Sequence, residues 1–163
     1  MLVALLSDIH DNTDNLLIAL ATAEQLGCKH LLFTGDITSL YTLRTMREEW
    51  PYGIDLVFGN NEWDHRSHLH LAEQMHDMCH HGYAADITLD NRRIYLGHFP
   101  QYATKAILSG NYDAVFYGHT HIAEEHLHGN TLSANPGEVA GVRRGPTFAV
   151  YDTTAHTISF HPI

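Results

Sequence analysis

The sequence predicts an α/β chain in which two mixed sheets pack face to face with helices outside. Three observations carry that prediction. Through the first half, short apolar runs alternate with stretches of helical period, the order of parallel strands joined by right-handed crossovers. From about residue 87 the texture changes to paired strand-like runs separated by turn dipeptides, the mark of antiparallel hairpins. With 163 residues, 44% of them hydrophobic and 17% charged, the chain can bury about 70% of the surface its unfolded form exposes. No repeat, linker or low-complexity tract interrupts it, so it reads as one domain, 1–163.

The elements follow in order. Leu2-Val3-Ala4-Leu5-Leu6 is a first strand; it is short, lacks a basic flank and reaches Asp8 at once, so it is not a signal peptide. Asn12 or Thr13 caps a helix running to about Leu26, with Leu16, Leu17, Leu20 and Ala21 inward and Gly27 as its stop. A strand over 30–35, a helix over 39–49 closed by Pro51, and a strand over 54–58 come next. Asp64 to Cys79 has helical period, with Leu71, Ala72, Met75, Met78 and Cys79 on one side. Asp90-Asn91 turns a hairpin between 87–89 and 92–96; a helix over 100–109 and a strand over 113–118 follow. Two more hairpins turn at Gly129-Asn130 and Thr153-Thr154.

Five apolar runs end the same way. They stop in Ser7-Asp8-Ile9-His10, Thr34-Gly35-Asp36, Gly59-Asn60-Asn61-Glu62, Gly97-His98 and Gly118-His119-Thr120-His121: a small residue, then Asp, Asn or His. Sites in open α/β sheets form outside the carboxyl ends of strands. Asp8, His10, Asp36, Asn60, His98, His119 and His121 would therefore converge, and imidazole, carboxylate and amide oxygen suit borderline and hard divalent cations. In extended chain His119 and His121 point to one side. A sensible division gives one ion Asp8, His10 and His121 and the other Asn60, His98 and His119, bridged by Asp36. Two such ions recur in phosphate-ester hydrolysis, where they ionise a shared water and clamp phosphate oxygens. Four positive charges, less two carboxylates and a hydroxide, leave one, which matches a phosphodiester monoanion.

Composition narrows the field. A formal charge of −10 argues against unspecific binding to nucleic acid or an anionic membrane. No apolar run approaches the roughly 20 residues that span a bilayer. Cys28 and Cys79 form no C-x-x-C pattern, so neither a disulfide framework nor a thiolate site is indicated. A cytoplasmic protein is the expectation, with assembly of several copies left open. The chain is too short for a metal amidohydrolase barrel of about 250 residues.

The five motifs stand in the order and at the spacing of the calcineurin-like metallophosphoesterase superfamily, which the chain resembles from Ser7 to about Gly137. Asn12 after the D-x-H pair and the late Asn135-Pro136-Gly137 look like its small bacterial and archaeal branch. The resemblance implies a four-layer fold, a β-sandwich core flanked by helices. It implies two divalent metal ions, Mn²⁺ first, with Fe, Zn²⁺ or Ni²⁺ as alternatives. It also implies a phosphodiesterase in which hydroxide between the metals attacks phosphorus, acting on a small phosphodiester or phosphomonoester. A phosphomonoesterase, a nuclease or a non-catalytic scaffold of the same fold are the alternatives. The seven ligand positions carry over residue by residue, with Asp36 and Asn61 as catalytic groups and Asn12, Asn61 and His65 as substrate-binding ones. One departure matters: much of the superfamily has histidine where this chain has Asn61, and an amide cannot act as a general acid near pH 7.

The remaining features have plainer readings. His65, His68, His70, His76, His80 and His81 read as a solvated helix face opposite Leu71, Met75 and Met78. Trp50 and Trp63 read as packing anchors. Arg92-Arg93 and Arg143-Arg144 read as solvated pairs, and His126 and His128 as the surface of a hairpin.

Overall fold

The computed structural model describes residues 1–163. In chain order, β1 (Leu2–Leu6), α1 (Thr13–Gln25), β2 (His30–Phe33), α2 (Leu40–Glu49), β3 (Gly53–Leu56), α3 (His65–Gln74) and β4 (Met78–His80) alternate as βα units. Then come β5 (Ala84–Leu89), β6 (Arg92–Gly97), α4 (Pro100–Ser109), β7 (Ala114–Phe116), β8 (Ala123–His128), β9 (Thr131–Pro136), β10 (Thr147–Asp152) and β11 (Thr157–Pro162). One sheet runs β11-β10-β1-β2-β3-β4 and the other β5-β6-β7-β9-β8. Both are mixed: β1 to β4 are mutually parallel with β10 antiparallel to β1, while β6, β7 and β9 are parallel between two antiparallel edges.

Four layers result. In β1, the two-residue period sends Ala4 and Leu6 to α1, α2 and α3, and Val3 and Leu5 to the second sheet. With both faces covered, the strand is apolar throughout, as central parallel strands are. On the far side, Ala103 and Ala106 of α4 pack on Val115 and Tyr117. The expected layer order is the one observed.

Local expectations needed four corrections. The inner face of α1 is Leu16, Ala19, Leu20 and Ala23; Leu17 is exposed, because the stripe follows i, i+3, i+4, i+7. The helix expected from Asp64 to Cys79 ends at Gln74. Met75 is extended and Asp77 has φ 54°, and Met78–His80 then pairs in parallel with β3 as an edge strand. The histidines in that segment divide: His68 is buried and His80 half-buried, while His70 and His76 stay exposed. Burial and neighbouring histidines push the His80 imidazole down to about 3. Trp50 is fully buried, but Trp63 is 87% exposed and anchors nothing.

Candidate metal centre

Three strands of one sheet and two of the other end at one cleft. Their loops are tied by main-chain bonds. Asp8 N–H donates to the Gly35 carbonyl, His10 N–H to that of Asp36, and Gly118 N–H to that of His98, each at 3.0 Å. Close approach requires glycine at two points. A Cβ on Gly59 would strike the Asp36 carboxylate, and one on Gly118 would strike Ser7 Oγ and Asp8 Oδ2. The backbone is also held out of its comfortable regions. Asp8, His10, Asp36, His119 and His121 have φ between 45° and 70°, a conformation costing a residue with a side chain on the order of 1 kcal/mol. Such strain persists only where surrounding structure enforces it, and it aims these five side chains inward.

Two of the imidazoles turn a lone pair toward the carboxylates. His98 donates Nδ1–H to the Thr34 carbonyl at 2.8 Å. In the neutral ring Nε2 is then a lone pair, and it faces Asn60 Oδ1 at 3.1 Å and Asp36 Oδ2 at 3.6 Å. His121 likewise donates Nδ1–H to Glu138 Oε2 at 2.6 Å, leaving Nε2 to face Asp8 Oδ1 at 3.3 Å and His10 Nε2 at 3.4 Å. His119 Nδ1 lies 2.8 Å from Asn60 Oδ1. Asp36 Oδ2 is 3.6 Å from both His10 Nε2 and His98 Nε2, midway between the two groups. Asp8 Oδ2 accepts from Ser7 Oγ (2.6 Å) and His119 N–H (3.0 Å), but buried Asp8 Oδ1 accepts nothing. Acceptors facing acceptors around an orphaned carboxylate oxygen fit cations between them.

Electrostatics point the same way. Burial works to raise the Asp8 carboxyl, but His10, His98, Ser7 and His121 outweigh it and hold it below its ordinary value. Asp8 raises the His10 imidazole against the effect of burial. Burial lowers His119, with His98 adding to the effect.

All seven expected ligand residues therefore meet. Asn61 lines the cleft too, but its amide is engaged: N–H donates to Asp36 Oδ1 (2.9 Å) and Nδ2 to Asp36 Oδ2 (2.7 Å). Two expected substrate contacts lie elsewhere. Asn12 caps α1, accepting from Asn15 N–H at 3.2 Å, and donates Nδ2 to the Ala140 carbonyl at 3.0 Å. His65 packs on Phe58 with ring centroids 4.2 Å apart, and its Nδ1 meets the Tyr83 hydroxyl at 3.1 Å. Neither is among the residues that line the cleft, and each side chain has a partner within the chain.

Residues beyond the seven expected ligands complete the site. Buried Glu62 clamps two ligand loops, accepting from Ile37 N–H (2.6 Å) and Gly59 N–H (2.8 Å); burial raises its carboxyl. Glu138, fully buried, accepts from His121 and from the main-chain N–H groups of Val142 (3.1 Å), Arg143 (2.6 Å) and Arg144 (2.8 Å). Burial acts to raise its carboxyl, and those four donors bring it below its ordinary value. Val142 and Arg143 form part of the cleft wall; both arginines of the expected solvated pair are exposed, and Arg143 is the one that lines the cleft. Asn135 locks the last motif, donating Nδ2 to the Gly118 carbonyl and Thr120 Oγ1, both at 2.9 Å. The only sequence signal for Glu138 was an acidic residue directly after Asn-Pro-Gly.

The family model for the calcineurin-like phosphoesterase superfamily domain matches residues 1–156. The chain belongs to the calcineurin-like phosphoesterase superfamily. It is thus a metal-dependent phosphoesterase. A phosphodiesterase of Methanocaldococcus jannaschii is 29% identical over 159 residues, covering 94% of this chain and 93% of that protein. Among solved structures, an archaeal phosphodiesterase superposes with a TM-score of 0.91 at 26% identity, each chain covered in full. An Escherichia coli phosphoesterase, 20% identical with both chains fully covered, has a TM-score of 0.70 and shares the fold. No helix of this superfamily member is long and apolar enough to cross a membrane.

Another histidine–carboxylate cluster lies on the β2-β3-β4 edge. His30 Nε2–H donates to Asp55 Oδ2 at 2.7 Å and His81 Nε2–H to Asp55 Oδ1 at 2.5 Å, with Cys79 Sγ 3.9 Å from His81 Nδ1. Burial would raise Asp55, yet the two histidines hold it down to about 2. Every oxygen is matched, so this cluster is a tie between strands.

Proposed function

We propose that the chain, working as one unit over residues 1–163, is a phosphodiesterase that binds two divalent ions at this cleft, Mn²⁺ foremost. The observation that supports this best is the orphaned Asp8 Oδ1 facing the inward lone pair of His121 Nε2, with Asp36 Oδ2 between that group and the lone pair of His98 Nε2. Asp8, His10 and His121 would hold one ion, Asn60, His98 and His119 the other, with Asp36 between. Bound there, the ions supply Lewis acidity that ionises a water near neutral pH and neutralises phosphate oxygens.

The chain's own residues do the rest. Thr34 and Glu138 fix the tautomers of His98 and His121, so each presents a lone pair inward. Asn60 N–H (2.7 Å) and Asn61 N–H hold Asp36 Oδ1, leaving Oδ2 to face the cleft. On substrate binding, the Asn61 amide turns from Asp36 to a phosphate oxygen as a donor. It has no proton to give a leaving group, so esters of acidic alcohols are the favoured substrates. The similarity to phosphodiesterases supports the diester over the monoester. Free Cys28 and Cys79 accord with a reducing cytoplasm.

The test is hydrolysis of bis-p-nitrophenyl phosphate against p-nitrophenyl phosphate by metal-stripped protein titrated with Mn²⁺, Ni²⁺, Zn²⁺ and Mg²⁺. Diester turnover that returns with metal supports the reading; faster monoester turnover makes it a phosphomonoesterase. Two bound ions without turnover of either ester would favour a scaffold.

A further inference from the structure

One wall of the cleft has no part in holding a cation. Val142, 77% exposed, and exposed Arg143 line the same cleft as His10, His121, Asn60 and Asn61, and Glu138 joins their main chain to His121. Their main chain is pinned by the buried Glu138 carboxylate. The Arg143 guanidinium has neither a hydrogen-bond nor an ion-pair partner; Arg44, Arg66 and Arg144 are also unpaired, but Arg143 is the arginine that lines the cleft, and Arg47, Arg92 and Arg93 are engaged elsewhere. A fixed backbone with an uncommitted planar cation at the mouth of a phosphate site is an arrangement for reading a ligand's charge.

A phosphodiester has two ester arms. One leaves; the other stays on phosphorus and must lie along a wall of the cleft. Val142 offers apolar contact to the organic part of that arm, and Arg143 offers charge to whatever it carries. The other lining residues, among them Asn60, Asn61 and His119, bring amides, imidazoles and a carboxylate but no second arginine. We propose that the Val142–Arg143 edge is the subsite for the retained arm. There Arg143 selects diesters whose retained arm is anionic over neutral ones, and neutral over cationic. The assignment rests on the phosphodiesterase reading and names its substrate class: phosphodiesters bearing a second negative group. Glu138, which bonds both His121 and this edge, is the positioning residue that keeps the subsite in register with the metal ligands.

Three diesters with one leaving group test this. They are the p-nitrophenyl esters of thymidine 3′,5′-bisphosphate (through the 5′-phosphate), thymidine 5′-phosphate and phosphorylcholine. For the Mn²⁺-loaded protein, kcat/KM should fall in that order, by about fivefold per step, carried by KM. Arg143→Gln should flatten the series to within about twofold, and Arg143→Glu should reverse it, with bound metal unchanged in both. A series that Arg143→Gln leaves intact would overturn the proposal. Calorimetric titration with thymidine 3′,5′-bisphosphate and thymidine 5′-phosphate gives a second readout. Wild type should prefer the bisphosphate and Arg143→Gln should not. If wild type hydrolyses none of the three esters, the phosphodiesterase reading fails instead. The titration then decides Arg143 alone, and equal affinity for both nucleotides would refute it.

Discussion

Two clusters in this molecule use nearly the same residues to opposite ends. Around Asp55, two imidazoles each donate a proton to one carboxylate oxygen, and burial, hydrogen bonding and charge are all satisfied within the chain. Around Asp8 and Asp36, the imidazole protons point outward to Thr34 and Glu138, lone pairs point inward, and a buried carboxylate oxygen has no partner. The backbones differ as well. None of His30, Asp55, Cys79 and His81 has a positive φ, whereas five of the seven proposed ligand positions do. Residue type does not distinguish a metal centre from a structural tie. What distinguishes them is where the second imidazole nitrogen sends its proton, and whether the backbone is strained to aim the first.

The largest test of that contrast is removal of the shared carboxylate. Asp36→Ala should abolish metal-dependent diester turnover, by about three orders of magnitude or more, and reduce bound metal. Next is the outward proton. Glu138→Gln takes away the acceptor that orients His121 and should weaken metal binding about 10- to 100-fold, measured by competition with a chelating dye. Asn61→His asks what the centre lacks. It should raise turnover of alkyl phosphodiesters about tenfold or more, with little change for p-nitrophenyl esters; no gain would refute the account of the leaving group.

The smallest effect belongs to the tie. Asp55→Asn should leave turnover within about twofold while lowering stability by about 2 kcal/mol, the worth of a carboxyl held at about 2 rather than 3.8. Its folded pKa lies below the unfolded one, so its contribution is full above about pH 4 and is lost as pH falls toward 2. Urea midpoints of wild type and variant should therefore differ at neutral pH and converge near pH 2. A gap that widens with acid would contradict the reading.

Much of the centre was legible because strand ends mark it: an apolar run that stops in glycine and then a ligand type places that ligand at the carboxyl edge of a sheet. The tie was not legible. His81 reads as the end of a solvated histidine face on one helix to Cys79, since Met75, Met78 and Cys79 suit helical spacing until the turn at Asp77 and pairing with β3 are seen. Glu138 was missed because its role depends on β9 lying beside β7, a pairing between residues far apart in sequence. The place of Arg143 at the cleft was not legible for a related reason: its loop is held there by Glu138 and by main-chain bonds from Val139 and Ala140 to the Ser7 and Asp8 carbonyls, contacts between residues far apart in sequence. Trp63, an aromatic between charged and polar residues, carried no sign of its exposure.

The most direct measurement of the central claim is a metal count. Wild type, Asp36→Ala and Asp55→Asn would be loaded with Mn²⁺, desalted and assayed for bound metal by inductively coupled plasma mass spectrometry. The account predicts two ions per chain in wild type and in Asp55→Asn, and fewer in Asp36→Ala. An ion lost with Asp55, or two retained without Asp36, would contradict it.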